Sequence, residues 1–487
     1  MTTRHQRPLA ARIAGQGALL FSGFALAQLF SFLRNALLAH MLSKGDFGVA
    51  AAILLLLQTI ETLSDVGADR LIVQDRNGDD ARFVASAHTV LVLRGLVTAA
   101  IILAAAQPIA SFFDVRHATW AFAAIAVSPA IKGFLHLDSR RVQRHLDNRP
   151  QMMIEVAPQA LALVLALPAV AITGSYAAVV GLTVVQAAAA VAVSHVMAER
   201  RYALALERAH LTRLAAFGWP IWASAFPLVA VYQGDRALIG HMAGMEALAA
   251  YSVAFMITMV PGLVAAKVAN ALMLPLLADA RDTPAEFAAR FKLMVEITAL
   301  ACAAYLALFV IAGGSIVALA FGPEYAGLGD VVALLSLMWA MRMMQATLGI
   351  ALMARGVTRP FLVAGVVRSL GVPLAFAALY MDHGLVGAAF AGVVAELLSL
   401  LYVAWRLQSV DAAGVRLGTV AMLRSLVIIA AGAAALATHA AIGDKGLIRD
   451  LAAAGALVVP MLVAGLMSMP GLHGLVRTKL GAEPRTT

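Results

Sequence analysis

Uninterrupted apolar runs of about 20 residues or more recur along the whole chain, and they leave few ways for it to fold. A helix rising about 1.5 Å per residue needs roughly 20 such residues to cross the ~30 Å hydrocarbon core of a bilayer. The runs are continuous rather than alternating, which excludes a membrane β-barrel, whose strands alternate apolar and polar positions. Hydrophobic residues make up 62% of the chain and charged residues 13%. Soluble domains run at roughly 45–50% and about 25%, so water could not solvate this surface. The reading is an all-α polytopic membrane protein.

About fourteen spans can be drawn, at 14–41, 46–69, 84–108, 117–137, 152–173, 175–197, 214–242, 247–279, 292–319, 329–354, 360–381, 384–406, 420–441 and 447–468. Arg4, Arg7 and Arg12 precede a first run too long for the core of a signal peptide, so that run reads as a span. With the N-terminus in the cytoplasm, 26 of the 36 Lys and Arg fall in inner segments, 4 in outer ones and 6 within spans. That bias follows the positive-inside rule and places both termini in the cytoplasm. It also explains the net charge of +9 without nucleic acid, which needs basic residues gathered on one face. The single cysteine, Cys302, excludes an intrachain disulfide and a cysteine metal site, and reads as a packed core residue. No phosphate-binding loop motif occurs, and no loop is long enough for a soluble catalytic or nucleotide-binding domain.

The segment 34–41 (RNALLAHM) returns as 236–242 (RALIGHM), each followed by a short acidic hinge and a new apolar run. The copies lie six spans apart and therefore insert in the same direction, which predicts two pseudosymmetric six-helix lobes. The expected division is 1–213 for the first lobe, 214–419 for the second, and 420–487 for two further spans and a tail.

Charge inside a bilayer costs at least about 2.5–3.5 kcal/mol per residue, so such residues face a partner or a watery cavity. Six cations fall within the spans: Arg34, Arg94, Arg236, Lys267, Arg342 and Arg368. Five acids accompany them: Glu61, Asp65, Asp235, Glu296 and Glu396. Glu61 and Asp65 are expected one helical turn apart on one face of the second span. Lys267 and Arg368 can also be read as side chains snorkelling to the interface, and Glu296 as a solvated charge at a span's inner end. Asp235 with Arg236 can be read as a packing pair. Prolines at 220, 227, 261, 275, 373 and 460 mark bends within spans.

The stretches SFLRNALLAHMLS (31–43), DFG (46–48), LSDVG (63–67), LIVQ (71–74), DRALIG (235–240) and NALMLP (270–275) resemble the polysaccharide-transporter flippases of the multidrug/oligosaccharidyl-lipid/polysaccharide exporter superfamily. The chain departs from the family's frequent Leu-Gly after the seventh-span hinge, carrying Leu248-Ala249 instead. The resemblance implies two lobes of helices around a central cavity in the bacterial inner membrane. It implies transport of undecaprenyl-diphosphate-linked oligosaccharides by alternating access, for O-antigen, exopolysaccharide or capsule, coupled in some members to an ion gradient. It also suggests partners in a polysaccharide polymerase and assembly proteins.

Arg34, Arg94, Arg236, Arg342 and Lys267 are then expected to bind the diphosphate or sugars. Glu61, Asp65, Asp235 and Glu396 are expected to be coupling acids, for H+ or Na+, or ion-pair partners. No cofactor is expected. A drug or metabolite antiporter of the same superfamily is the alternative, though its cavity would favour acids. A membrane-embedded glycan ligase or polymerase would need a large outer loop, whereas the longest outer loops here are about 8–10 residues.

Overall fold

The computed structural model describes residues 9–409 and 446–468. Among them every regular element is helical. The helices are α1 (Leu9–Met41), α2 (Lys44–Leu63), α3 (Ala68–Gln74), α4 (Ala81–Phe112), α5 (Thr119–Ala124), α6 (Val127–Lys132), α7 (Asp138–Arg144), α8 (Arg149–Val164), α9 (Ala166–Thr173) and α10 (Ala177–Val196). There follow α11 (Arg208–Val229), α12 (Asp235–Met242), α13 (Met245–Asp279), α14 (Pro284–Phe321), α15 (Gly329–Ala354), α16 (Arg359–Ser369), α17 (Gly371–Tyr380), α18 (Gly384–Gln408) and α19 (Leu447–Ser468). Among the described residues, nine helical stretches are long and apolar enough to cross a membrane, or ten if the α8–α9 pair, bent by 43°, is one span. The thirteenth expected span, 420–441, lies outside the described residues.

The chain separates into two compact units, 1–233 with 243–249, and 234–242 with 250–487. The boundary falls inside the seventh expected span rather than in the loop before it. There α11 passes through a π-helical turn, Ala230–Gly234, into α12. Two features hold α11 to the first unit. A Cβ on Gly218 would stand 2.7 Å from the Val66 carbonyl, and Phe217 and Ile221 crowd Gly67. The repeated strings end their helices at matching residues, α1 at Met41 and α12 at Met242. The next helix starts within a few residues, where Ser43 caps α2 by accepting from the Asp46 N–H at 3.1 Å.

In the first unit α1 packs on α8, α8 on α10, and α4 on α5 and α6. Small residues set the spacing, as expected where lipid offers no hydrophobic drive between helices. A Cβ on Gly95 of α4 would sit 2.5 Å from the Pro129 carbonyl of α6, so only glycine admits this approach. Two expectations need correction. The span drawn at 117–137 is broken into α5 and α6, with a turn at 125–126, and ends at Lys132. The second span stops at Leu63, so Asp65 lies beyond the helix and shares no helical face with Glu61. Gly67, at φ +62°, and an Asp65 carboxylate accepting from the Gly67 N–H at 3.0 Å define that turn.

The second unit is built around α15, which packs against α14 and α18, while α19 lies on α14 and α12 on α17. Trp339 and Met344 of α15 and Phe287 and Phe291 of α14 are fully buried or nearly so. Cys302 is buried and its Sγ donates to the Ala340 carbonyl at 3.3 Å. Glu296 is wholly buried in α14 and is not a solvated end charge, because α14 begins at Pro284, well before the expected start of that span.

Candidate functional site

Each unit carries its own cluster of buried or half-buried charge. In the first unit, the Lys132 ammonium at the end of α6 reaches Glu61 near the end of α2, with Nζ 2.9 Å from Oε1. Beside it, Arg94 of α4 donates from Nη2 to the Glu61 carbonyl at 2.9 Å and from Nε to Ser64 Oγ at 3.3 Å. Its Nη1 stands 3.5 Å from Asp65 Oδ1, and Asp65 also pairs with Arg70 at 3.0 Å. The close α4–α6 approach at Gly95 is what brings Arg94 and Lys132 to one place.

Arg94 is shared by two adjoining cavities. One, of about 130 Å³, is lined by Glu61, Ser64, Thr98 and Lys132 as well as Arg94. The other, of about 250 Å³, is lined by Asp65, Asp69, Arg140 and Gln151. Two acids, Glu61 and Asp65, face three cations, Lys132, Arg94 and Arg70, so the cluster holds an excess positive charge.

Arg34 lies apart from it. Its Nη1 donates to Gln186 Oε1 of α10 at 2.8 Å and to Gln159 Oε1 of α8 at 3.3 Å. Both partners are neutral, and among the described residues no carboxylate lies within ion-pair distance of Arg34. Among the described residues this guanidinium is thus held by neutral oxygens alone.

In the second unit Glu396 of α18 is fully buried and serves two arginines. Arg342 of α15 donates to its Oε2 from Nη2 at 2.9 Å and from Nε at 3.1 Å, and Arg368 of α16 places Nε 3.0 Å from the same oxygen. The snorkelling reading of Arg368 is thereby corrected: a buried carboxylate holds it. The Arg342 guanidinium lies 4.6 Å from the centre of the Trp339 ring. Phe255, edge-on to Trp339 at 6.0 Å, carries Arg236 over its own ring at 4.8 Å. Asp235 accepts from the Tyr251 hydroxyl at 2.8 Å, so it does not simply pair with Arg236. A Cβ on Gly262 would stand 2.9 Å from Trp339, so glycine admits the indole. Lys267 lies exposed on α13.

A third group of polar residues has a structural role. Beyond α6 the chain turns through His136 and Asp138, and the extended segment between α10 and α11 crosses that turn. Arg141 is held by Asp138, Nε to Oδ1 at 2.5 Å, and by Glu199, Nη2 to Oε2 at 2.5 Å. The Glu199 N–H donates to Asp138 Oδ2 at 2.8 Å. Burial raises the Asp138 carboxyl, but the Arg141 guanidinium and these N–H donors outweigh it and hold the carboxyl below its ordinary range. The Asp138 N–H donates to His136 Nδ1 at 3.1 Å, so the opposite nitrogen, Nε2, carries the proton given to the Arg200 carbonyl at 3.0 Å. Burial pulls the His136 imidazole below its ordinary value, against the raising effect of that carbonyl.

Of the residues singled out in the sequence, the structure joins Glu61, Asp65 and Arg94 in one unit and Arg342 with Glu396 in the other. Lys132, Arg70 and Arg368 belong with them, although the first two read as loop charges and the third as a snorkelling one. Lys132 was legible only through the break in its span. Among the described residues no group of His, Cys, Asp and Glu is placed to hold a metal ion.

The sequence from 37 to 330 matches a family described as polysaccharide biosynthesis protein. The chain belongs to that family. Its fold is similar to the solved structure of the lipid II flippase MurJ in an inward closed conformation, with a TM-score of 0.73 at 11% identity over 95% of this chain and 99% of that one. It is also similar to an inward-facing multidrug resistance MATE transporter of the MOP superfamily, with a TM-score of 0.63 at 16% identity over 78% of this chain and 94% of that one. No curated protein sequence matches it significantly. The family member is thus a multi-pass helical membrane protein with a transporter fold.

Proposed function

We propose that this polysaccharide biosynthesis family member is a flippase. Its substrate is an oligosaccharide linked to a polyprenyl diphosphate, carried from the cytoplasmic to the outer leaflet of a bacterial inner membrane by alternating access. The product feeds surface polysaccharide assembly, where a polymerase and assembly proteins act next. Both termini and the loop 280–283 face the cytoplasm, in keeping with the distribution of Lys and Arg.

The observation that carries the reading is Arg34, a helix-borne guanidinium met, among the described residues, by two glutamine oxygens and no carboxylate. A diphosphate cannot cross ~30 Å of hydrocarbon unaided. Arginine's planar fork suits phosphate oxygens, and Arg94, Arg236 and Arg342 add further positive charge along the helices. The polyprenyl tail stays in lipid while the charged and sugar parts follow the cations. Glu61, engaged by Lys132, is the acid placed to exchange an ion for that partner.

The antiporter reading finds less support. A cationic drug needs an available carboxylate, yet Glu61, Asp65, Asp235 and Glu396 are each already engaged.

Gene deletion with extraction of lipid-linked intermediates tests the proposal. Loss of surface polysaccharide with complete repeat units retained in the inner leaflet is the expected outcome. Unchanged polysaccharide together with new sensitivity to cationic toxins would overturn it in favour of the antiporter.

A further inference from the structure

Three ion pairs stand one behind another inside the first unit. Arg140 of α7 meets Asp69 of α3 at 3.1 Å, Arg94 of α4 meets Asp65 at 3.5 Å, and Lys132 of α6 meets Glu61 of α2 at 2.9 Å. The two cavities follow the same order. Asp69, Ser139 and Arg140 line only the larger, of about 250 Å³. Glu61, Thr98 and Lys132 line only the smaller, of about 130 Å³. Leu91, Arg94 and Leu135 line both. The stretch from α2 into α3 and the stretch from α6 into α7 pass from the smaller cavity to the larger, while α4 runs the other way, as neighbouring spans must.

Leu91 and Thr98 stand ~15 and ~25 Å along α4 from its start at Ala81, the end that the distribution of Lys and Arg assigns to the cytoplasm. All six side chains of the three pairs nevertheless keep a quarter or more of their surface exposed. Polar spaces of this size hold several waters each, at ~30 Å³ per water. The series ends at Thr98. It is 1% exposed, and its hydroxyl meets no donor or acceptor among the described residues. A water at the end of the file is the partner that hydroxyl calls for.

We propose that the two cavities form one water-filled inlet from the cytoplasm to Glu61, and that the ion exchanged there is the proton. Oxygens around Glu61 are already taken by N–H donors. Lys132 Nζ stands 2.9 and 3.3 Å from its two carboxylate oxygens, and Arg94 holds its backbone carbonyl and Ser64 Oγ. A hard metal cation needs several oxygens at once, whereas a proton needs one. The step balances within the inlet. A hydronium ion gives its proton to a Glu61 carboxylate oxygen and becomes water. Lys132 keeps its own three protons, loses the ion pair and turns to the cavity water. The reverse step returns the proton to the cytoplasm and closes the pair. This assignment rests on the flippase reading and gives its coupling acid an ion and a route within one unit.

Thiol access and infrared spectroscopy of the full-length protein test it. Cys302, the chain's single cysteine, is buried and gives no background. In membrane vesicles, an impermeant methanethiosulfonate added from the cytoplasmic side should modify Leu91→Cys about tenfold faster than Ile102→Cys, a buried position one turn beyond Thr98. Equal rates at the two positions, or modification of Leu91→Cys from the outer side alone, would overturn the inlet. For the ion, acidifying the buffer over purified protein should raise a protonated-carboxyl band that Glu61→Gln lacks and that saturating sodium chloride leaves in place. A band unchanged in Glu61→Gln, or one that sodium removes, would overturn the proton. Neither measurement involves the transported lipid, so the two readings fail separately. Lipid-linked units that accumulate on deletion while the Glu61 band is missing sink the proton inlet and leave the flippase standing. Unchanged lipid-linked pools on deletion sink the flippase reading itself.

Discussion

Glu396 and Arg342 meet at 2.9 Å on α18 and α15, with the carboxylate wholly buried and Arg368 standing 3.0 Å from the same oxygen. One carboxylate oxygen thus serves two guanidiniums. Breaking a buried pair from one side leaves uncompensated charge, which costs about 3–5 kcal/mol. Glu396→Gln is therefore expected to lower the unfolding midpoint of the detergent-solubilised protein, since it removes the buried carboxylate that both arginines share. Arg342→Ala removes one cation and leaves Glu396 paired with Arg368. It is expected to reach the membrane at normal levels and fail to restore polysaccharide in a deletion strain. Wild-type midpoints for Glu396→Gln would mean that the arginines find their counter-charge elsewhere.

Arg34 gives the opposite balance of stability and function. Its partners, Gln159 and Gln186, can hydrogen-bond a neutral amide equally well. Arg34→Gln removes a desolvated cation, so the unfolding midpoint should hold or rise while transport is lost. Arg34→Lys keeps the charge without the fork and should restore transport only in part. The readout is the pool of lipid-linked repeat units per unit of membrane protein. Full transport by Arg34→Gln would remove the residue from the substrate path.

The fold was legible wherever length and apolarity decide the outcome. The expected span 329–354 coincides with α15, and the described residues of 447–468 are helical throughout as α19, because each is a long apolar run that starts at or just after a glycine. It was not legible where one residue redirects the backbone. Nothing in the apolarity of 46–69 marks Gly67 as a left-handed residue, so Asp65 read as helical when it closes a turn. Lys132 read as a loop charge because the broken helix pair α5–α6 looks continuous in hydropathy. Buried charge was recognisable by its cost, and Arg342 and Glu396 were singled out on that ground. Their partnership is a tertiary fact, since 54 residues separate them and no spacing rule reaches that far.

The turn beyond α6 should loosen in acid. His136 is depressed by burial from its ordinary value near 6.5, so its neutral form is the one the fold favours. Its contribution to stability is therefore complete above that value and is lost as pH falls below it, toward the depressed value of the folded state. Asp138 is also depressed, and its contribution is lost only at lower pH, below the ordinary carboxylate range. His195, Tyr202, Arg141 and Glu199 surround the pair, and Arg141 opposes a second positive charge. The protection of residues 199–207, taken as exchange relative to the intrinsic base-catalysed rate at each pH, should fall as pH drops below about 6.5 toward the depressed value of the folded imidazole. His136→Gln should flatten that response. Protection that does not change with pH would mean that charging His136 does not loosen the segment.

Lys132 and Glu61 distinguish an ion-coupling acid from a structural pair. Both side chains are partly exposed, at 37% and 26%, so their mutual attraction is modest and the fold should tolerate its loss. Lys132→Met leaves Glu61 beside Arg94, whose Nη2 holds only its carbonyl. If the pair is structural, Glu61→Gln and Lys132→Met should each cost a little stability, and the double variant should recover most of it and transport normally. If Glu61 exchanges an ion for Lys132 during the cycle, the double variant recovers stability but not ion-driven transport. Glu61→Gln alone then equilibrates substrate between leaflets without responding to an imposed gradient. The comparison is made in proteoliposomes with and without a proton or sodium gradient. The expected result is loss of the gradient response in every variant lacking Glu61, because an amide cannot take up and release an ion as a carboxylate does.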